Sequence, residues 1–151
     1  MHIALVNPQI PQNTGSIART CAATKTPLII IGKPAFEISD RTVKRAGLDY
    51  WPFVQMEQYL EWEEYNLKHR PRKIWLLSKF ATIPYYQADF HVDDCLVFGS
   101  ETKGLGSEFM SQFPIEQHLQ IPMLEKGVRS LNLSNAVSIV LYEALKQVKI
   151  L

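Results

Sequence analysis

Four short runs that are apolar at nearly every position constrain this chain more than any other feature. Residues 2–6 (HIALV), 28–31 (LIII), 74–78 (IWLLS) and 95–98 (CLVF) show no alternation of hydrophobic and polar positions. A strand with one wet face alternates, so runs of this kind predict strands buried on both faces. Residues 53–54 and 118–121 read as further short strands. Between these runs the spacing predicts helices. One starts at Asn13–Ser16, with Ile17, Ala18, Cys21 and Ala22 on one face, and others run over 56–65 and 107–113. Ser39 or Asp40 can cap a short helix that Gly47 ends. The clearest helix runs over 132–149, with Leu133, Ala136, Val137, Val140, Leu141, Ala144, Leu145 and Val148 on its apolar side. The alternation predicts an α/β fold, with a mostly parallel sheet of about six strands and helices on both faces. Such sheets bind ligands at the carboxyl ends of their strands, which directs attention to the loops after Val6, Leu77, Phe98 and Ile121.

With 151 residues and no linker, repeat or low-complexity stretch, the sequence predicts a single domain over residues 1–151. Hydrophobic residues at 46% and charged residues at 21% exclude a disordered chain, a collagen-like repeat and a coiled coil. Sixteen basic against fifteen acidic side chains leave a formal charge of +1, which neither requires nor forbids a nucleic-acid partner. The longest strictly aliphatic run has four residues, too short for a membrane span, and the start lacks the pattern of a secretory leader. The expectation is a cytoplasmic protein with no membrane partner. Cys21 and Cys95 lie in apolar surroundings and read as buried free thiols. His2, His69, His91 and His118 are scattered, so no metal site is expected. Neither a Gly-x-Gly-x-x-Gly after the first strand nor a Gly-x-Ser-x-Gly elbow is present. Gly99–Gly104 has the spacing of a phosphate loop, but Leu105-Gly106 stands where Lys-Ser/Thr is required.

Three segments carry more polar chemistry than scaffolding needs. Asn7–Gly15 is a long polar loop leading to Arg19, readable either as a site or as a capped helix with a solvated arginine. The segment from Val97 to Gly106 sets three glycines and Glu101 after a buried strand. It suits close approach of backbone to a ligand, or a turn with a carboxylate at a helix start. Four Ser or Asn residues crowd 130–135, although a cap needs one; they either line a pocket or over-cap the helix. Tyr142 lies off the main apolar stripe. The basic clusters 68–73 and Arg41, Lys44, Arg45 suit either phosphate contact or a solvated surface. Glu57, Glu61, Glu63 and Glu64 read as a wet helix face, and Trp51, Trp62 and Trp75 as packing residues.

Taken in order, these segments resemble the three motifs of the SpoU–TrmD (SPOUT) RNA methyltransferases. They are Asn13-x-Gly15-x-Ile17-x-Arg19, then Phe98-Gly99-x-Glu101-x-x-Gly104-Leu105, then Ile121-Pro122-Met123 with Ser130-Leu131-Asn132-Leu133-Ser134-Asn135-Ala136. The short length, the opening Asn-Pro-x-Ile-Pro-x-Asn-Thr-Gly and the Arg-Ala-Gly-Leu-Asp-Tyr at 45–50 are similar to the minimal TrmL-type branch. Relatives often carry a glycine where Lys25-Thr26 follow the first helix.

The resemblance implies an S-adenosylmethionine-dependent 2′-O-methyltransferase acting on the wobble ribose of tRNA, cytidine or uridine, with S-adenosylhomocysteine as product and no metal. It also implies a homodimer and a deep C-terminal trefoil knot, which chain-topology rules alone would disfavour. Cofactor-holding backbone is implied at Leu77, Ser78, Gly99, Ile121, Met123, Ser130 and Leu131. Arg19 is implied as essential, with Asn7, Glu101, Asn132 and Tyr142 as candidates for orienting the ribose and base. No length remains for an appended RNA-binding domain, so two subunits would share the anticodon stem-loop, with Arg41, Lys44, Arg45 and Lys103 gripping phosphates. Two other readings remain at this point. One is a dimeric RNA- or nucleotide-binding knot protein without turnover. The other is a flavodoxin-like nucleotide domain, for which the prolines at 8 and 11 make a poor phosphate loop.

Overall fold

The computed structural model describes residues 1–37 and 49–151. Seven strands form one sheet in the order β3-β2-β1-β6-β4-β7-β5, and every pairing is parallel. The strands are β1 (His2–Val6), β2 (Leu28–Ile31), β3 (Met56–Tyr59), β4 (Ile74–Leu77), β5 (Ile83–Pro84), β6 (Cys95–Phe98) and β7 (His118–Gln120). The described helices are α1 (Pro11–Thr24), α2 (Trp62–His69), α3 (Ser107–Met110) and α4 (Leu133–Gln147).

The uniformly apolar strands are explained by the two cores they serve. Ile3, Leu5, Leu28, Ile30, Leu96 and Phe98 point to one face, where Ile17, Ala18 and Cys21 of α1 and the buried stripe of α4 cover them. Ala4, Val6, Ile29, Ile31, Leu76 and Val97 point to the other, under Trp62 and Tyr65 of α2 with Phe109 and Met110 of α3. Successive residues therefore alternate between two dry faces, and these strands are apolar at consecutive positions. The expected α4 stripe is in place: Val137, Val140, Leu141, Ala144 and Leu145 are buried. Both cysteines are buried and free, and burial pushes each thiol up to about 12. No described helix is long and apolar enough to cross a membrane.

The structure corrects several boundaries. Residues 56–65 are not one helix: Met56–Tyr59 forms edge strand β3, and α2 begins at Trp62. Met56 and Tyr59 stand three apart and imitate a helical face, whereas pairing with β2 makes them a strand. Glu57 is accordingly not part of a wet helix; it accepts hydrogen bonds from Lys68 (2.6 Å) and Tyr59. Trp51–Phe53 is a 3-10 turn, so no strand lies at 53–54. Strand β5 has two residues, one of them an edge proline, too few to show a period, and it brings the sheet to seven strands rather than about six. Helix α1 starts at Pro11 rather than Asn13, with proline in the first turn where no N–H is required. It ends on Lys25 in the left-handed region (φ 54°), a conformation that glycine adopts without strain. The short helix expected over 40–46 lies outside the described residues.

Tyr65 anchors α2, and its hydroxyl meets His2 Nδ1 at 2.9 Å. Burial first, then the N-terminal ammonium and His69, lower the His2 imidazole to about 4 from 6.5. The folded protein thus holds His2 neutral, while the unfolded chain takes up a proton on acidification below 6.5. The stabilisation is present above that pH and is lost as pH falls toward about 4. The expected result is a melting temperature that declines over this window, with the decline flattened in His2→Gln. An unchanged slope in that variant would locate the acid sensitivity elsewhere.

Candidate active site

Strand register sets the site. Leu5, Phe98, Leu77 and Leu119 stand level across four adjacent strands, so β1, β6, β4 and β7 release their loops along one edge. The loop after β6 closes on itself through reciprocal bonds between Ser100 and Gly104, at 3.1 and 2.9 Å. A side chain at Gly99 would stand 2.0 Å from the Gly104 carbonyl carbon and 2.2 Å from the Leu105 nitrogen. The loop's own backbone therefore requires a glycine at this position. Gly104 and Gly106 are needed for their positive φ of 64° and 81°.

Closure of this loop directs Glu101 at the start of α1. Its carboxylate accepts the backbone N–H of Gln9 (2.8 Å) and of Ile10 (3.0 Å) and the side-chain amide of Asn13 (3.2 Å). The N-cap residue, Ile10, has no capping side chain, so Glu101 supplies the cap from about ninety residues away. A negative charge there is also favoured by the helix dipole. Asn13 in turn accepts from Asn132 Nδ2 at 2.9 Å. Asn132 caps α4, its Oδ1 accepting Ser134 N (2.9 Å) and Ser134 Oγ (2.6 Å). One polar chain, Glu101–Asn13–Asn132–Ser134, thereby joins all three segments singled out in the sequence. The pivot is Asn13, only 7% exposed, a motif residue that nothing in the local sequence marks as a site residue. A buried amide with bonds at both ends is the signal, and only the fold reveals it.

The other candidates fall around this chain. Leu77, Ile121 and Met123 are half-buried at adjacent strand ends, with Ser78 beside them, whereas Ser130 is exposed and Leu131 half-buried. Asn7 adopts the left-handed region (φ 49°) and lays its amide over Gly32, on the β2 side. Tyr142 stands 48% exposed on the outer face of α4. Arg19 is exposed on α1, its guanidinium 5.7 Å from the centre of the Tyr50 ring, and Tyr50 is fixed by donating to Gly15 O (3.1 Å). Burial, then Asp49, push the Tyr50 phenol above its usual range against the pull of Arg19. Tyr50 leads through the turn Trp51–Phe53 to edge strand β3, and β3 and β2 lie on the opposite side of β1 from β6, β4 and β7.

Lys103 is exposed on the β6 loop, and Arg41, Lys44 and Arg45 lie outside the described residues. The basic run 68–73 is committed to structure. Lys68 pairs with Glu57, Arg72 with the buried carboxylate of Asp94 (3.1 Å), and Lys73 lies 4.1 Å from the Trp75 ring centre. Its Arg70 and Arg72 line a cleft with His2 and Asp93 at the amino ends of the strands, away from the loops above. No group of His, Cys, Asp or Glu suited to a metal ion occurs among the described residues.

Comparison with known proteins gives this geometry a lineage. A tRNA (cytidine(34)-2′-O)-methyltransferase of Saccharophagus degradans is 39% identical over 146 residues, which is 97% of this chain and 94% of that protein. A structure solved for insight into 2-OH methylation of C/U34 on tRNA is 41% identical, with a TM-score of 0.88 over 97% of this chain and 94% of its own. An AdoMet-bound rRNA methyltransferase of Sinorhizobium meliloti is 25% identical, with a TM-score of 0.80 over 96% of this chain and 55% of its own. Residues 1–142 match the model of the SpoU rRNA methylase family, and the chain belongs to that family.

Proposed function

We propose that the protein is an S-adenosylmethionine-dependent tRNA 2′-O-methyltransferase acting on the ribose of the wobble nucleotide, a cytidine or uridine. The observation that carries this reading is the polar chain Glu101–Asn13–Asn132, which fixes three family segments against one another at one edge of the sheet. Relatives covering nearly the full length supply the substrate. The proposed enzyme is one methyltransferase domain, working in the cytoplasm as a homodimer, with α4 threaded through a trefoil knot.

The donor chemistry suits the cofactor. Leu77 and Ile121 pack on the core from two neighbouring strand ends and offer apolar walls, with backbone polar groups and Ser78 between them. Gly99, Met123, Ser130 and Leu131 complete the proposed cradle. When bound, S-adenosylmethionine supplies an activated methyl group, and methyl transfer to oxygen needs positioning more than added catalytic groups. A guanidinium is a poor base at neutral pH. The proposed task of Arg19 is to anchor a phosphate and stabilise the alkoxide as the ribose proton passes to a phosphate oxygen or water. In the dimer, the Arg19 of one subunit faces the cofactor of the other. Glu101, Asn13 and Asn132 hold the segments in register. Asn7 and Tyr142 border the RNA path, and Lys103, with Arg41, Lys44 and Arg45, contacts phosphates.

The direct test is methyl transfer from labelled S-adenosylmethionine to unmethylated total tRNA, followed by nuclease digestion and mass spectrometry. A methyl on the wobble ribose is the expected result. A methyl on a base or another ribose would overturn the assigned position. Cofactor binding without transfer would favour a binding protein instead.

A further inference from the structure

We propose that Phe80, with Lys79 beside it, is a stacking platform for an unpaired RNA base next to the nucleotide that receives the methyl group. This inference rests on the RNA substrate proposed above. The turn after β4 is pinned at both ends: Ser78 N–H donates to Leu119 O (2.9 Å) and Ala81 N–H to Ser78 O (3.3 Å). Phe80 N–H donates to Ser78 Oγ at 3.2 Å, and Ala81 is buried. These bonds fix the backbone of the turn, and Phe80 on it stands 77% exposed. Among the described residues it is more exposed than Phe53, Tyr86 or Tyr142, and the two cores are complete without it. Its position is equally specific. Leu77 is level with Phe98 and with Leu119, so Phe80 stands at the rim shared by the loops after β6, β4 and β7.

Charge decides what covers the ring. The Lys79 ammonium lies 5.1 Å from the centre of the Phe80 ring. A planar π-face with a cation beside it matches a nucleotide, whose base stacks on the ring while its phosphate meets the lysine. A protein partner would require a broad apolar patch, whereas Lys79 and Thr82, on either side of Phe80 and Ala81, are exposed and polar.

The test uses the full chain with Phe80→Ala, Phe80→Leu and Phe80→Trp, measuring KM for unmethylated tRNA, KM for S-adenosylmethionine, kcat and elution volume. Loss of one stacked base is expected to raise the tRNA KM about five- to a hundredfold in both the Ala and Leu variants. Phe80→Trp restores it, and cofactor KM and elution volume stay at wild type. Lys79→Ala is expected to flatten the salt dependence of tRNA binding by about 0.7 in log–log slope. A wild-type tRNA KM in Phe80→Ala overturns the proposal, as does full activity in Phe80→Leu, which would reduce the contact to apolar packing. A parallel rise in cofactor KM, or dissociation of the oligomer, also overturns it. Anisotropy of a labelled single-stranded RNA, read on the same variants, separates this inference from the proposed reaction. If wild type methylates no tRNA but Phe80→Ala still loses RNA affinity, the platform stands and the reaction assignment falls.

Discussion

Glu101→Gln is expected to destabilise the fold by about 2–3 kcal/mol and to lower kcat/KM at least tenfold. All the acceptor capacity the structure records for Glu101 goes to α1 and its entry loop: Gln9 and Ile10 through backbone N–H, Asn13 through its amide. Glutamine has the same shape but replaces one acceptor oxygen by a donor, which must then face an N–H. Hydrogen bonds to a charged group contribute about 1.5–3 kcal/mol, and an orphaned donor adds its own desolvation cost. The activity loss follows from position, since Asn13 passes the register of α1 on to Asn132 and the start of α4. A misplacement on the order of 1 Å can cost about a hundredfold in rate. Chemical unfolding and methyl-transfer assays on the same preparation separate two roles. Loss of stability and activity together makes Glu101 a positioning residue. An inactive variant of wild-type stability would mean that the carboxylate touches the ribose. The double variant Glu101→Gln/Asn132→Ala should lose less than the sum of the single losses, because both act through Asn13, with coupling of about 0.5–3 kcal/mol.

The parts of the fold that were legible in the sequence are those where burial leaves little choice. Runs such as Leu28–Ile31 lie between two dry faces and have no polar alternative, and α4 shows one apolar stripe because one side packs on β6 and α1. Edge strand β3 reads as helix for the opposite reason. Half-exposed Met56 and Tyr59 carry no strong periodicity, and their identity as strand comes from β2, some 28 residues earlier in the register. The site divides along the same line. Glu101 and Asn132 stood out by residue type and motif order, yet their bonds could not be read, because the partners are 88–119 residues away. The glycines after β6 are marked as constrained by the sequence, and the contact that constrains Gly99 within the fold is with Gly104 and Leu105. Local sequence shows that a position is unusual, and the long-range contact determines why.

Arg19→Ala is expected to reduce kcat/KM about a hundred- to a thousandfold, the cost of removing one donor aimed at a developing oxyanion. Fold stability should change little, because the side chain is exposed and its recorded contact is the face of Tyr50. Arg19→Lys should recover only a small part of the loss. A lysine ammonium keeps the charge but loses the planar fork that binds phosphate through two parallel bonds and lies flat against an aromatic ring. Near wild-type turnover in Arg19→Lys would show that charge alone suffices. The contact of Arg19 with Tyr50, which leads to β3 rather than to β4 or β7, makes a second outcome informative. If each site takes Arg19 from the other subunit, mixing Arg19→Ala with Asn132→Ala creates dimers with one intact site. Such a dimer pairs a sound cofactor half from the first chain with a sound arginine from the second. After exchange through mild denaturant, activity should rise to about a quarter of wild type, because half the dimers are mixed and each carries one working site. If Arg19 serves its own chain, every site in every mixture lacks a part. The activity then stays at the level of the single variants, whatever the mixing ratio.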